Sequence, residues 1–242
     1  MKVQDSSISG VLLIDKAQDM TSHDVVAIAR RALNTKKIGH CGTLDPMATG
    51  LLMLVVGKAT KLQDLLMCED KVYEATMLLG VETDSQDAEG DVVATRPTDG
   101  VTPEAVREAF TRFAGAFEQV PPMVSAIKKN GVPLYKLARK GQVVEREPRP
   151  VKVLDYEVRR VELPEVDFTV HCSKGFYVRT YAHDIGQVLG CGAHLTALRR
   201  VRSGHFSVDG AMPVEFLKSA PREEVVKGLL SIEQIAAMRG VL

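Results

Sequence analysis

Residues 39–61 read GHCGTLDPMATGLLMLVVGKATK. The stretch contains Leu51–Val56, the longest unbroken apolar run in the chain. Six apolar residues closed by a glycine are too few for an amphipathic helix and fit a strand buried on both faces. The preceding part carries one acidic residue, Asp45, between Leu44 and Pro46. Thr43 and the glycines permit tight turns, and Pro46 biases Asp45 toward extended geometry. A carboxylate so placed either caps a turn or is aimed by its loop as a reactive group. The stretch alone leaves both readings open. Cys41 reads as a small buried hydrophobe in preference to a nucleophile.

Outward from this run, GVLLID (10–15) reads as a strand. TSHDVVAIARRALN then offers Thr21 or Ser22 as the cap of a helix with Val25, Ile28, Ala29 and Ala32 on one face. VYEATMLLG (72–80) alternates, with Tyr73, Ala75, Met77 and Leu79 sharing a side. TPEAVREAFTRFAGAF (102–117) predicts a helix capped by Thr102, with Pro103 at its first position and Val106, Phe110, Phe113 and Phe117 in a stripe. VDFTVHCS (166–173) alternates again. TYAHDIGQVLG (180–190) predicts a helix closed by Gly190, with Tyr181, Ile185, Val188 and Leu189 inward. Ser231 and Gln234 form a candidate capping box in a helical tail. Helices interrupt the strands irregularly, which predicts an α+β fold and not a doubly wound one.

The 242 residues suffice for one large domain or two small ones, at 45% hydrophobic and 26% charged. Aromatics make up 5% and Trp is absent, which predicts a mostly aliphatic core. Lys+Arg and Asp+Glu both number 31, so the overall charge does not point to nucleic acid. The N-terminal apolar run is too short for a signal peptide, and no run approaches a membrane span. Cys41, Cys68, Cys172 and Cys191 form no CxxC pair, as expected of a reduced, cytoplasmic protein without a zinc cluster.

One segment departs from this balance. Residues 121–150, PPMVSAIKKNGVPLYKLARKGQVVEREPRP, hold seven basic and two acidic residues with five prolines. A solvated loop and an RNA-contacting insertion both fit, because cations with an interleaved Tyr135 suit phosphates and unstacked bases. RRALNTKK (30–37) and LRRVR (198–202) would extend such a surface if they face the same way. The acidic run VETDSQDAEGD (81–91) lacks calcium-loop spacing and reads as a hairpin with turn-capping carboxylates. CGAH (191–194) reads as a loop-to-helix turn, not a metal pair. In SKGFYVRTYAHD (173–184), Tyr177 and Arg179 alternate onto one face of an extended stretch. There they make either a surface pair or a stacking and anion-binding pair.

Taken together, GHCGTLDPMATGLLMLVVGKATK, YEATMLLGVETDSQDAEG, QVPPMVSAIKKNGVPLYKLARKG and SKGFYVRTYAHDIGQVLGCGAHLTALRRVRSG resemble, in form and order, the motifs of the TruB family of tRNA pseudouridine-55 synthases. The resemblance runs from about residue 10 to residue 207. It implies a pseudouridine synthase fold with a mixed, mostly antiparallel central sheet flanked by helices. It also implies isomerisation of uridine 55 in the T loop of tRNA. Carried over, the nucleophile falls on Asp45, the base-contacting tyrosine on Tyr73, and the arginine that pairs with the nucleophile on Arg179. His40 falls on a residue that orders the flipped-out nucleotides, Tyr177 on a second pocket tyrosine, and Leu198 on a pocket leucine. The basic segment 121–150 resembles an RNA-gripping thumb, with Lys128, Lys129 and Arg139 among its cations. The resemblance implies no metal and no cofactor, a tRNA T stem–loop as partner, no obligate protein partner, no membrane association, and a monomer.

The family's K-P-x-G-x-T-S segment appears here as KAQDMTS (16–22), without its proline and glycine. That leaves the local loop shape open. Only 34 residues follow Val208, which predicts a single catalytic domain over 1–242 with helical closure and no separate C-terminal RNA-binding domain. Two other classes remain as alternatives. An RNA-folding protein on this scaffold has no need of the Asp–Tyr–Arg set. A hydrolase with an Asp nucleophile requires a paired acid/base that the sequence lacks.

Overall fold

The structure is a computed structural model and describes residues 8–240; the N-terminal residues read above for a signal peptide lie in part outside them. The chain divides into two compact units. One comprises the chain up to Tyr73 and from Arg199 onward, and the other comprises Glu74–Leu198.

The first stretch forms β1 (Gly10–Lys16), α1 (Ser22–Ala32), β2 (Ile38–Cys41), β3 (Thr49–Val56), a 3-10 turn (Gly57–Leu62), α2 (Gln63–Met67) and the start of β4 (Lys71–Leu79). The middle of the chain forms β5 (Val81–Thr83), β6 (Val92–Thr95), α3 (Pro103–Thr111), β7 (Gly115–Gln119), β8 (Lys128–Lys129), β9 (Val132–Pro133) and α4 (Leu134–Ala138). It continues with β10 (Arg149–Glu162), β11 (Glu165–Cys172), α5 (Val178–Leu189) and the start of β12 (Ala193–Ser203). The return forms β13 (Phe206–Ser207), β14 (Met212–Pro213), α6 (Val214–Ser219), α7 (Arg222–Lys227) and α8 (Ile232–Met238).

In the first unit the strand order is β14-β1-β3-β12, with β2 also on β3 and β13 on β12. β1 lies antiparallel along the whole of β3, from Gly10↔Val56 to Lys16↔Gly50. The other edge of β3 is therefore shared. β2 takes its C-terminal end, with His40 opposite Leu54, and β12 takes its start in parallel, with Arg200 opposite Gly50. Every residue of β3 after Thr49 is buried, as the apolar run predicts. Val11, Cys41, Leu51, Met53, Val55, Leu66, Phe206 and Ile235 pack into one aliphatic core. The tail closes this core as expected: Leu230 and Val11 exchange main-chain hydrogen bonds of 2.9 Å, and Ser231 with Gln234 forms the capping box that seats α8.

In the second unit the order is β12-β4-β11-β10-β7. β10 pairs antiparallel with both β11 and β7. The alternation along β4 and β11 is realised, with Tyr73, Ala75, Met77 and Leu79 buried on one side of β4. Antiparallel pairs predominate and helices flank them, so the α+β expectation holds.

Two local expectations give way. The helix beginning at Pro103 ends at Thr111. Gly115 turns the chain at φ 79°, so Phe117 sits on β7 and not on the helix. Val188 is 37% exposed on the outer face of α5. The buried side chains of this unit are mostly aliphatic, as the composition predicts, with one aromatic cluster among them: Phe110 meets the rings of Tyr156, Phe168 and Tyr181 at 5.2–5.8 Å between centroids, and Phe113, Phe117 and Phe176 extend the cluster. A scarce residue type is thus concentrated in one place within the core. Each such pair adds about 0.5–1.5 kcal/mol beyond the area that it buries.

Phe110 is the hub of this cluster and has no exposed surface. Phe110→Ala is expected to lower unfolding free energy by about 3–5 kcal/mol, read from the urea midpoint at constant m-value.

Candidate active site

The candidate residues divide between the two units, and each group has its own framework. In the first unit Asp45 lies half-buried in the loop that joins β2 to β3. Its carbonyl accepts from the amide of Ala48 at 3.1 Å, so the main chain closes the turn.

Three side chains hold the rest of that loop. Ser22, at the start of α1, accepts from the amide of Leu44 at 2.9 Å, and its hydroxyl is 3.2 Å from the Leu44 carbonyl. Arg200 is 1% exposed; its Nε donates to the Leu51 carbonyl at 2.7 Å and its Nη2 to the Gly42 carbonyl at 3.1 Å. Lys16 has no exposed surface, and its Nζ donates to the carbonyls of Ala17, Met20 and Pro46 at 2.9, 2.7 and 3.2 Å. A buried ammonium is tolerated where its three protons each have an acceptor. The close pairing of β3 with β12 also constrains residue 50: with φ 95°, a Cβ there would lie 2.3 Å from the Arg200 carbonyl oxygen, so only glycine fits.

This arrangement resolves the shape of KAQDMTS. Asp19 adopts φ 62°, the left-handed conformation for which glycine is the ordinary choice, and its amide donates to the Pro46 carbonyl at 3.0 Å. Thr21 is the cap of α1 and forms a capping box with Asp24. Asp19 thus supplies the left-handed turn that a glycine would otherwise provide, at the cost of some backbone strain. Within LRRVR, Arg200 is a buried loop clamp, whereas Arg199, paired with Asp15 at 2.7 Å, and Arg202 stay partly exposed.

Cys41 is buried, and desolvation pushes its thiol up to about 12, which agrees with the packing reading over the nucleophilic one. His40 is half-buried. Burial first, then the neighbouring His23 and Arg200, lowers its pKa to about 4, so the ring is neutral at physiological pH. Tyr73 is 9% exposed on β4.

In the second unit Arg179 lies in the first turn of α5, not on a strand, and Tyr177 is the cap residue of that helix. The predicted strand-face pairing of the two is therefore replaced by a loop-to-helix junction. Arg179 is 3% exposed. Its Nη1 donates to the Ser85 carbonyl at 3.0 Å and lies 3.4 Å from the Asp87 carboxylate, and its Nη2 donates to the Val124 carbonyl at 2.9 Å. Asp87 is 2% exposed and accepts from the Ser85 hydroxyl at 2.5 Å and the Glu89 amide at 3.1 Å. The acidic run does form the expected hairpin loop between β5 and β6, with Asp84 accepting from the Asp91 amide at 3.0 Å. Asp87 has the further task of holding Arg179, and no local pattern announces it.

Gln119 is a second unforeseen residue. It is 2% exposed, donates to the Tyr177 carbonyl at 3.1 Å and accepts from the Tyr177 amide at 2.9 Å. One side-chain amide thus holds the backbone of Tyr177 as a neighbouring strand would. Leu198 is 8% exposed on β12. CGAH leads into that strand and not into a helix, and the His194 Nδ1 meets the Val81 carbonyl at 2.9 Å. Among the described residues no group of three His, Cys, Asp or Glu side chains converges.

The basic segment 121–150 forms a short hairpin, β8–β9, followed by α4. Lys128 and Lys129 are exposed on a hairpin whose tip, Asn130 and Gly131, takes φ 52° and 81°, the geometry favoured by an Asn-Gly turn. Arg139 lies over the Tyr135 ring at 5.5 Å. A cavity of about 160 Å³ opens among Lys128, Lys129, Glu145, Arg146, Glu147 and Arg149.

Two family models match the chain. The TruB family pseudouridylate synthase N-terminal domain matches residues 30–178, and the tRNA pseudouridylate synthase B C-terminal domain matches residues 179–234. A tRNA pseudouridine synthase B of Opitutus terrae is 53% identical over 229 residues, covering 95% of each chain. That of Syntrophotalea carbinolica is 49% identical over 227 residues, covering 94% of this chain and 74% of its own. Among solved structures, a Cbf5-Nop10-Gar1 complex is similar at TM-score 0.71 and 32% identity over 95% of this chain. An H/ACA ribonucleoprotein bound to a substrate RNA containing 2′-deoxyuridine is similar at TM-score 0.68 and 29% identity over 95%. This chain spans 62% and 61% of the length of those two.

The left-handed conformation at Asp19 generates a stability ranking. Asp19→Gly is expected to keep or raise unfolding free energy, by up to about 1 kcal/mol, and Asp19→Val to lower it by about 1–2 kcal/mol. Paired urea melts check the order.

Proposed function

The chain belongs to the TruB family of pseudouridylate synthases, and from that premise we propose that Asp45 is the nucleophile that converts uridine 55 in the T loop of tRNA. The protein is a tRNA pseudouridine synthase, an isomerase acting on RNA. The N1–C1′ bond of a uridine breaks, the uracil turns, and a C5–C1′ bond forms. C5 then loses its proton and N1 gains one, so no electron or group is exchanged with another reactant.

A side chain reaches the uracil only after the base has left the stack. We assign that task to the basic segment 121–150, which grips the T stem–loop through Lys128, Lys129 and Arg139, and to His40, which orders the displaced nucleotide. Tyr73 stacks on the base, and Tyr177 and Leu198 contact the substrate. Asp45 acts in its ionised form, and Arg179 belongs to the same catalytic set. The enzyme works as a monomer, in the cytoplasm where its tRNA substrate resides.

The observation that carries this reading is the loop around Asp45. Lys16, Ser22, Arg200 and the amide of Asp19 hold its backbone, and the Asp45 carbonyl closes the turn with the Ala48 amide. Such a framework aims one carboxylate with little reorganisation at the moment of reaction. Among the described residues no helix is long and apolar enough to cross a membrane.

Asp45→Asn is expected to abolish tritium release from C5-labelled uridine in a T-arm stem–loop while RNA affinity stays within about threefold of the parent; normal turnover by this variant sinks the assignment. For the basic segment, Lys128→Gln, Lys129→Gln and Arg139→Gln together are expected to weaken RNA binding and to reduce the slope of log affinity against log salt by about 1–3. An unchanged slope in a filter-binding titration removes these residues from the interface.

A further inference from the structure

We propose that His23 is a positioning residue for the reaction: it orients the His40 imidazole and acts on the displaced nucleotide through it. The inference rests on the role given to His40 above, and the two can fail separately.

The backbone of His40 is fixed by its pairing with Leu54 in the middle of the β2–β3 ladder. Its ring is another matter. In most functional histidines one ring nitrogen is bonded to a carbonyl or carboxylate, and that bond sets the orientation and the tautomer. Here the Nδ1 of His40 is buried without a hydrogen-bond partner in the protein. The orientation of the ring therefore falls to packing.

The contact that supplies a direction is His23. The two rings meet edge to face, with centroids 5.2 Å apart and planes at 85°. Such contacts are directional because the positive edge of one ring faces the negative face of the other. His23 itself is exposed in the first turn of α1. Three successive residues of that helix start thus have separate tasks. Thr21 caps the helix, Ser22 holds the backbone of Leu44 beside Asp45, and His23 braces the ring of His40. One short segment thereby sets both ends of the reactive stretch Gly39–Pro46. The neutrality of His40 fits the same purpose, because a ring oriented by packing carries no charge that would pull it toward a phosphate.

The test is a double-mutant cycle on a T-arm stem–loop, read as single-turnover tritium release, with RNA affinity and melting temperature measured alongside. His23→Ala is expected to slow the single-turnover rate about 3- to 10-fold, the size of one lost edge-to-face contact, with affinity and melting temperature unchanged. His23→Phe keeps a ring edge in place and is expected to restore the rate to within about twofold of the parent. The double variant His23→Ala/His40→Ala is expected to match His40→Ala alone, since His23 acts only through that ring. Multiplied effects in the double variant, a parent-like rate for His23→Ala, or equal losses in the Phe and Ala variants overturn the inference and leave His40 untouched. A parent-like rate for His40→Ala overturns the role of His40 and the inference with it. If His23→Ala melts early, His23→Phe decides: a parent-like rate supports the brace, and a slow but fully folded Phe variant overturns it.

Discussion

A lysine ammonium with no exposed surface donates to three backbone carbonyls, and one of them belongs to the residue after Asp45. Much of the first unit follows from that constraint. Lys16 is the last residue of β1, which runs the length of β3, so the ammonium is delivered to the mouth of the Asp45 loop by the strand ladder itself. Withdrawing a charge from water is expensive, and three carbonyls in matched directions offset it only if the loop stays where it is. The loop and the lysine therefore hold each other. Ser22 and Arg200 add grips at Leu44 and Gly42, and the glycine at position 50 lets β12 approach closely enough for Arg200 to reach.

The second unit solves a similar problem with an arginine. Arg179 is buried at the first turn of a helix, where a lone cation would be costly, and Asp87 with two backbone carbonyls accepts its protons. Gln119 holds Tyr177 two residues earlier by bonding both its amide and its carbonyl. Beneath both, the aromatic cluster around Phe110 supplies the rigid floor of α5, since Tyr181 packs on Phe110, Phe113, Phe168 and Phe176. Positions that need fixed orientation are thus built from polar side chains bonded to backbone and resting on packed rings. Backbone groups cannot change rotamer, which makes them better anchors than other side chains.

What was legible in advance is local. The six-residue apolar run became a buried strand, the alternations at 72–80 and 166–173 became half-buried strands, and Thr21, Thr102 and Ser231 became helix caps. Periodicity and capping act over a few residues and can be read within a few residues. Two misreadings are equally instructive. The phenylalanine stripe at 102–117 kept helical spacing across Gly115, whose positive φ breaks the helix while the rings still meet. The SKGFYVRTY stretch carried strand-like alternation, yet the helix begins at Val178, because tertiary bonds to Gln119 and Ser85 select the junction over the local pattern.

The amino-acid sequence by itself determined the α+β class, the family, and the identity of Asp45 as the one carboxylate in its motif, since each of these rests on residue type and short spacing. It did not contain in readable form that Asp87 holds Arg179, that Arg200 clamps Gly42, or that Lys16 grips Pro46. Those pairs lie far apart along the chain; Arg179 and Ser85 are separated by 94 residues, and Arg200 and Gly42 by 158. A charge carries no mark of its partner until folding removes the water between them. Only the tertiary structure decides which cations are spent on backbone carbonyls inside the protein and which stay exposed at its surface.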